Sequence, residues 1–93
     1  MKFIKEKNNR FHIISRPYEL YGNLGEDYSY IHFEDRSGTT YCVGTFPTAD
    51  IMRLVHGKMS WKQFASAVYY EYDREKEEER RWREAEEKES CAM

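Results

Sequence analysis

The sequence predicts an α+β fold: a small antiparallel sheet of about four strands, then a short helix and a long, highly charged C-terminal helix. The first half alternates apolar and polar residues in short runs separated by turn residues, which is typical of strands. The second half places apolar residues at i, i+3 and i+4, which predicts helices. From Asp73 to Glu89 every residue is charged except Trp82 and Ala85, and such a helix is expected to face water or a charged partner.

Composition narrows the classes of protein. The 93 residues carry a formal net charge of −2 at pH 7, and without a polybasic segment direct nucleic-acid binding is not expected. Cys42 and Cys91 lack the spacing of a zinc site or a disulfide framework, which favours a reducing cytoplasm. The N-terminal MKFIKEKNNR is too polar for a signal peptide. No run approaches the about 20 apolar residues of a membrane span, so the chain is expected to be cytoplasmic.

Two short strands are predicted near the N-terminus. They cover residues 2–6 and 10–15, and Asn8-Asn9 between them tolerates the positive φ angles of a tight hairpin. Pro17 is expected to end the second strand because it has no backbone N–H to donate. Residues 18–27, which include two glycines and an asparagine, are expected to form a loop.

The clearest hairpin joins residues 28–34 and 39–46 through a type I turn, with Asp35 first and Gly38 fourth. That turn places Ile31 and Phe33 on one face with Thr40 and Cys42, and it places the following residues on the other face: Tyr28, Tyr30, His32, Tyr41 and Val43. The register therefore excludes Cys42 and His32 as a nucleophile and its base. Which face is buried stays open.

The helices have clear boundary signals. Thr48 is predicted to cap a short helix over residues 49–56, which Gly57 ends. Ser60 and Gln63 form a capping box at the start of the long helix. Its predicted core face comprises Trp61, Phe64, Ala65, Val68 and Tyr72. With no Gly or Pro to stop it before residue 89, the helix divides the chain into a compact core, 1–72, and a charged extension continuous with it, 73–93.

Trp82 is the strongest candidate for partner binding, because it is the one large apolar residue of the charged run. Its charged neighbours are expected to form pairs at the rim of an interface: Glu78, Glu79, Arg80, Arg81 and Arg83. An alternative is that the indole stacks on an arginine of its own chain. Tyr69 and Tyr70 are further candidates, since one of them must lie toward solvent, although they could instead cover the sheet edge.

These features favour a non-enzymatic protein-binding module. The three histidines lie in separate elements without further ligands at metal-binding spacing, so no cofactor, metal or catalytic residue is expected. In size and composition alone, the chain resembles phage and mobile-element inhibitors such as anti-CRISPR proteins, which implies a larger protein or nucleoprotein partner. A second copy of the chain is another candidate partner. The alternative function is a nucleic-acid-binding regulator that stacks bases on Tyr28, Tyr30 and Tyr41.

Overall fold

The chain folds into a five-stranded antiparallel sheet followed by two helices, so the predicted α+β class is confirmed. The computed structural model describes the backbone of residues 1–91 and the side chains of residues 1–85, and predictions about later side chains, including that of Cys91, lie outside it. The strands adjoin one another in chain order. The elements are β1 (Lys2–Lys5), β2 (Arg10–Ser15), β3 (Tyr18–Asn23), β4 (Tyr28–Glu34), β5 (Thr40–Pro47), α1 (Thr48–Val55) and α2 (Trp61–Cys91).

The predicted number of strands was too low, because β3 occupies most of the segment expected to be a loop. This strand is central in the sheet, and its Leu20 is fully buried. Gly22 looks like a turn residue in the sequence, but it meets a steric requirement of the sheet. Its φ is 156°, and a Cβ there would collide with the carbonyl oxygen of Tyr30 on β4. The glycine therefore permits a close approach of two paired strands.

The β4–β5 hairpin forms as predicted, but its register is shifted by one residue. Gly38 N–H bonds the Asp35 carbonyl at 3.0 Å, which closes the turn, and Asp35 N–H bonds the Thr39 carbonyl at 3.1 Å. Gly38 has a φ of 82°, so the turn is followed by a bulge that adds Thr39 to the loop. The observed partners are Ile31 with Val43, His32 with Cys42 and Phe33 with Tyr41. A shift of one residue moves every β5 side chain to the opposite face.

The helices cover one face of the sheet and leave the other open. The covered face supplies Phe11, Ile13, Leu20, Ile31, Phe33, Val43 and Phe46 to the core, and the helices supply Ile51, Leu54, Phe64, Ala65 and Val68. Trp61 and Tyr72 pack at the margin of this core. The predicted core face of the long helix is therefore correct.

The helix boundaries follow the sequence signals with one exception. Ser60 Oγ accepts the Gln63 N–H at 3.1 Å, and Gln63 Oε1 accepts the Ser60 N–H at 3.0 Å, which confirms the capping box. Gly57 ends α1 with a φ of 73°. Thr48 is the first residue of α1 rather than its cap. Its hydroxyl instead bonds Ser29 Oγ at 2.6 Å and the Gly25 carbonyl at 3.0 Å, and so joins α1 to the loop before β4.

Candidate functional site on the projecting helix and the open sheet face

Helix α2 is fixed to the edge of the sheet by one carboxylate before it projects. Glu75 accepts hydrogen bonds from Gly44 N–H at 3.1 Å, Thr45 N–H at 2.8 Å and Thr45 Oγ1 at 2.7 Å. Strand β5 is an edge strand, and these bonds satisfy backbone donors that would otherwise lack a partner. Sequence reasoning missed this contact, because nothing in the charged run distinguishes Glu75 from its neighbours.

Beyond Glu75, and as far as the described side chains extend, to Ala85, the helix has no cover from its own domain. We call residues 76–91 the arm. Every side chain from Lys76 to Ala85 is exposed. Ion pairs along the helix join Glu77 to Arg81 and Glu79 to Arg83, each at 3.2 Å, at the i, i+4 spacing that brings side chains together on a helix. Such exposed pairs support the helix by only about 0.3–0.5 kcal/mol each.

Trp82 is the most exposed large apolar side chain of the described residues, with 72% of its surface accessible. At about 3.6 residues per turn it lies about five turns after Phe64, so it continues the core-facing stripe of α2 past the edge of the sheet. In the described part of the chain the cation–π contact pairs Lys76 with Tyr72, and none involves Trp82. The alternative, in which the indole stacks on an arginine of its own chain, is therefore not found among those residues.

The other charged residues predicted to bind a partner lie on the arm, on different sides of the helix. At helical spacing Glu78 and Glu79 lie one turn before Trp82, on its own side of the helix. Glu78 lies 3.7 Å from Arg74. Arg80 and Arg81 are exposed and point to other sides of the arm. Partner binding by these residues and by Arg83 stays a prediction.

The two candidate tyrosines of α2 have different surroundings. Tyr70 is 68% exposed. The Tyr69 hydroxyl donates a 2.9 Å hydrogen bond to Asp35 Oδ2, and its ring meets that of Tyr41 with centroids 5.1 Å apart. Tyr69 therefore joins the helix to the β4–β5 turn. Tyr70 is the freer of the two to contact a partner.

Asp35 is buried, and both of its carboxylate oxygens accept hydrogen bonds from the protein itself. The Ser37 hydroxyl donates to Oδ1 at 2.6 Å, and the N–H groups of Ser37 and Thr39 donate to the same oxygen at 2.9 and 3.2 Å. Hydrogen bonding from Ser37, supported by that from Tyr69, holds the pKa of Asp35 below its usual value despite burial. Burial, followed by the hydrogen bond to Asp35, raises the pKa of Tyr69 to about 12. The hydrogen bonds of Asp35 therefore hold the turn and the helix together.

The open face carries two of the three tyrosines predicted to stack bases. Tyr28 is 61% and Tyr30 is 44% exposed. Tyr41 is on the covered face, where it packs between Tyr69 and Tyr72. The predicted trio was therefore wrong as a single surface, because the register shift moved Tyr41 to the other side of the sheet. Tyr21, in the missed strand β3, is on the open face instead and is 40% exposed.

A groove of about 600 Å³ crosses the open face. His12 and Glu19 lie within it, with Nε2 and Oε1 2.6 Å apart. The charged side chains of its lining are three glutamates, Glu6, Glu19 and Glu34, and one arginine, Arg10. Glu19 and Glu34 are directly opposed on paired strands. The groove therefore lacks the excess of basic groups that phosphate binding requires.

Cys42 and His32 are neighbours on the open face, so their exclusion as a pair was wrong. They are opposite residues of β4 and β5, and Cys42 Sγ lies 3.0 Å from His32 Nδ1. The same one-residue shift that moved Tyr41 away brought these two together. The sequence signal that could have identified them is the glycine at the end of the turn, which is typical of a bulge.

In the described part of the chain, no group of three or more His, Cys, Asp or Glu side chains is placed to hold a metal ion. None of the helices described is both long and apolar enough to cross a membrane. Comparison with protein-family models, curated proteins and solved structures gives no match. The fold and these two surfaces are therefore the basis for any functional conclusion.

Proposed function

We propose that this protein is a non-enzymatic protein-binding module and that the arm is its principal binding surface. The observation that carries the proposal is Trp82, which is 72% exposed on a stretch of helix, residues 76–85, where every side chain is exposed. Burial of an aromatic side chain removes about 150–250 Å² from water. Tryptophan and arginine are enriched among the residues that dominate binding energy at interfaces, and Arg81 and Arg83 flank Trp82 in the sequence.

The partner is proposed to be a larger protein or nucleoprotein. The arm is about 24 Å long at about 1.5 Å per residue, and a helix with an apolar anchor can bind by placing that anchor in a groove of a larger partner. The small size and the aromatic, acidic composition support a more specific form of this proposal. In that form, the protein is a cytoplasmic inhibitor that a phage or mobile element carries, and it acts on a nucleic-acid-processing complex of the host.

A second candidate function is the binding of single-stranded nucleic acid by the open face. It is favoured by the exposed rings of Tyr21, Tyr28 and Tyr30, because base stacking on aromatic side chains contributes about 1–3 kcal/mol per base. The three glutamates of the groove oppose it, since such binding also depends on neutralising phosphates. We therefore rank it below protein binding.

The test compares capture of partners by variants of the intact chain. Immobilised wild-type protein, Trp82→Ala and Tyr28→Ala are incubated with bacterial lysate, and bound proteins are identified by mass spectrometry. We expect Trp82→Ala to lose a stoichiometric partner that Tyr28→Ala retains, because Tyr28 is also a largely exposed aromatic residue but lies on the sheet rather than on the arm. Both variants should keep the wild-type melting temperature.

Two results would contradict the proposal. Retention of the partner by Trp82→Ala would show that the arm is not the binding surface. Loss of salt-sensitive binding to single-stranded DNA in Tyr28→Ala, with no effect of Trp82→Ala on any partner, would favour the nucleic-acid alternative. Sedimentation velocity of wild type and Trp82→Ala shows whether the partner is a second copy of this chain.

A further inference from the structure

The open face holds a thiol and an imidazole in direct contact. Cys42 is exposed and free of any disulfide. Its Sγ lies 3.0 Å from Nδ1 of His32, its cross-strand partner. A nucleophile and a base within hydrogen-bonding distance are the first two parts of an activated nucleophile. The third part is a group that holds the base in its orientation.

Two tyrosine rings provide that third part. Tyr21 stacks on the imidazole with centroids 4.9 Å apart and planes 11° from parallel. Tyr30 meets it edge-on, also at 4.9 Å, with planes at 79°. Because the rings contact His32 from two directions, they restrict its rotation. They thereby hold the imidazole in the plane in which its Nδ1 meets the sulfur.

We infer that Cys42 and His32 form an activated thiol, a site of covalent modification by low-molecular-weight disulfides. His32 Nδ1 accepts the thiol proton, and the Cys42 thiolate attacks one sulfur of the disulfide. A new S–S bond forms at Cys42 as the original S–S bond breaks and its electron pair leaves with the second sulfur. The departing thiolate takes the proton from His32. Cys42 is thereby oxidised to a mixed disulfide, and the small disulfide is reduced to one free thiol.

This site is separate from the arm and does not depend on the proposed function. Cys42 and His32 belong to β5 and β4, whereas Trp82 is on the projecting part of α2. A mixed disulfide at Cys42 would stand on the open face beside the groove that His32 and Tyr30 line. The chemistry can therefore be tested without knowledge of any partner.

The experiment measures the reaction of one thiol in the full-length chain. A Cys91→Ser parent leaves Cys42 as the single thiol, and dithiodipyridine is the probe because this neutral disulfide is not attracted by a charged imidazole. We expect His32→Gln to lower the second-order rate constant about tenfold, since an unassisted cysteine is only a few per cent thiolate near neutral pH. His56→Gln is the matched control, because His56 is exposed just after α1 and the helices cover the opposite face of the sheet from the thiol.

An unchanged rate constant for His32→Gln, or an equal decrease for His56→Gln, would overturn the inference. The parent protein provides a second measurement that does not require His32→Gln to fold. In its native state it should react faster than the same chain unfolded in guanidinium chloride. A slower reaction of the native thiol would show that the fold shields Cys42 rather than activating it.

Discussion

Asp35 connects the β4–β5 turn to α2 through a single carboxylate. Ser37 and Thr39 bond one oxygen, and the Tyr69 hydroxyl bonds the other at 2.9 Å. A hydrogen bond to an ionised group contributes more than one between neutral groups, about 1.5–3 kcal/mol. Because Tyr69 is 36% exposed, we expect Tyr69→Phe to cost less than the lower end of that range. Chemical denaturation at neutral pH should show a loss of about 1 kcal/mol, and Tyr70→Phe, which alters an exposed hydroxyl, should show none.

The raised pKa of Tyr69 predicts how this contribution depends on pH. Folding shifts the pKa from 10.0 to about 12, so the folded state favours the neutral phenol. The contribution is complete below pH 10 and is lost as pH rises through about 12. The difference in unfolding free energy between wild type and Tyr69→Phe should therefore narrow over this interval. A difference that stays constant up to about pH 12 would mean that the phenol does not ionise differently in the two states.

Gly22 shows how one residue can mislead a reading of the sequence. It was interpreted as a turn residue, yet it lies in a central strand where a Cβ would strike the Tyr30 carbonyl. Gly22→Ala should lower the unfolding free energy by more than about 1 kcal/mol, because alanine suits neither the space nor the positive φ. Gly44→Ala is the control, since its Cβ would lie 3.8 Å from Glu75 Oε1 in ordinary contact. Equal stability of the two variants would contradict the steric argument.

At the scale of the element, helices were predicted better than strands because their signals are local. The capping box of Ser60 and Gln63 and the terminal Gly57 each depend on residues within a few positions. Strand register depends on how a loop closes, and the single extra residue Thr39 reversed the faces of β5. That shift separated Tyr41 from the predicted stacking surface and placed Cys42 beside His32. A candidate site on a sheet is therefore only as reliable as the register assumed for it.

The capping box also provides a test of element stability. Ser60→Ala removes the acceptor of the Gln63 N–H, and we expect it to cost about 1 kcal/mol. Ser66→Ala is a suitable control on the same helix, because the Ser66 hydroxyl donates a hydrogen bond to the Lys62 carbonyl and caps no helix end. Denaturant midpoints of both variants measure the difference. A loss of stability confined to Ser66→Ala would contradict the assignment of the cap.

At the scale of the whole molecule, the protein is a small sheet with helices on one face, and the second helix extends past the sheet as the arm. Its extents are 55 × 29 × 20 Å, and the long dimension reflects the 31 residues of α2. The charged run predicted a helix that faces water or a charged partner, since so many charges could not be buried. The run could not reveal where contact with the sheet ends, because Glu75 looks like every other glutamate in it. The domain boundary predicted after residue 72 thus lies three residues before the last contact with β5.

Truncation tests where the folded unit ends. A chain ending at Lys76 keeps the Glu75 bonds to Gly44 and Thr45, and we expect it to unfold cooperatively with nearly the stability of the full chain. A chain ending at Tyr72 should remain folded but lose about 1–2 kcal/mol, because two edge-strand N–H groups lose a charged acceptor.

Glu75→Gln in the full-length protein separates the effect of this acceptor from that of chain length. It should reproduce much of the loss, while Glu79→Gln, on the exposed arm, should not change the denaturant midpoint. Non-cooperative unfolding of the chain ending at Lys76 would mean that the arm contributes to the core. In that case Trp82 would be better explained by folding than by partner binding, so the truncation also bears on the proposed function.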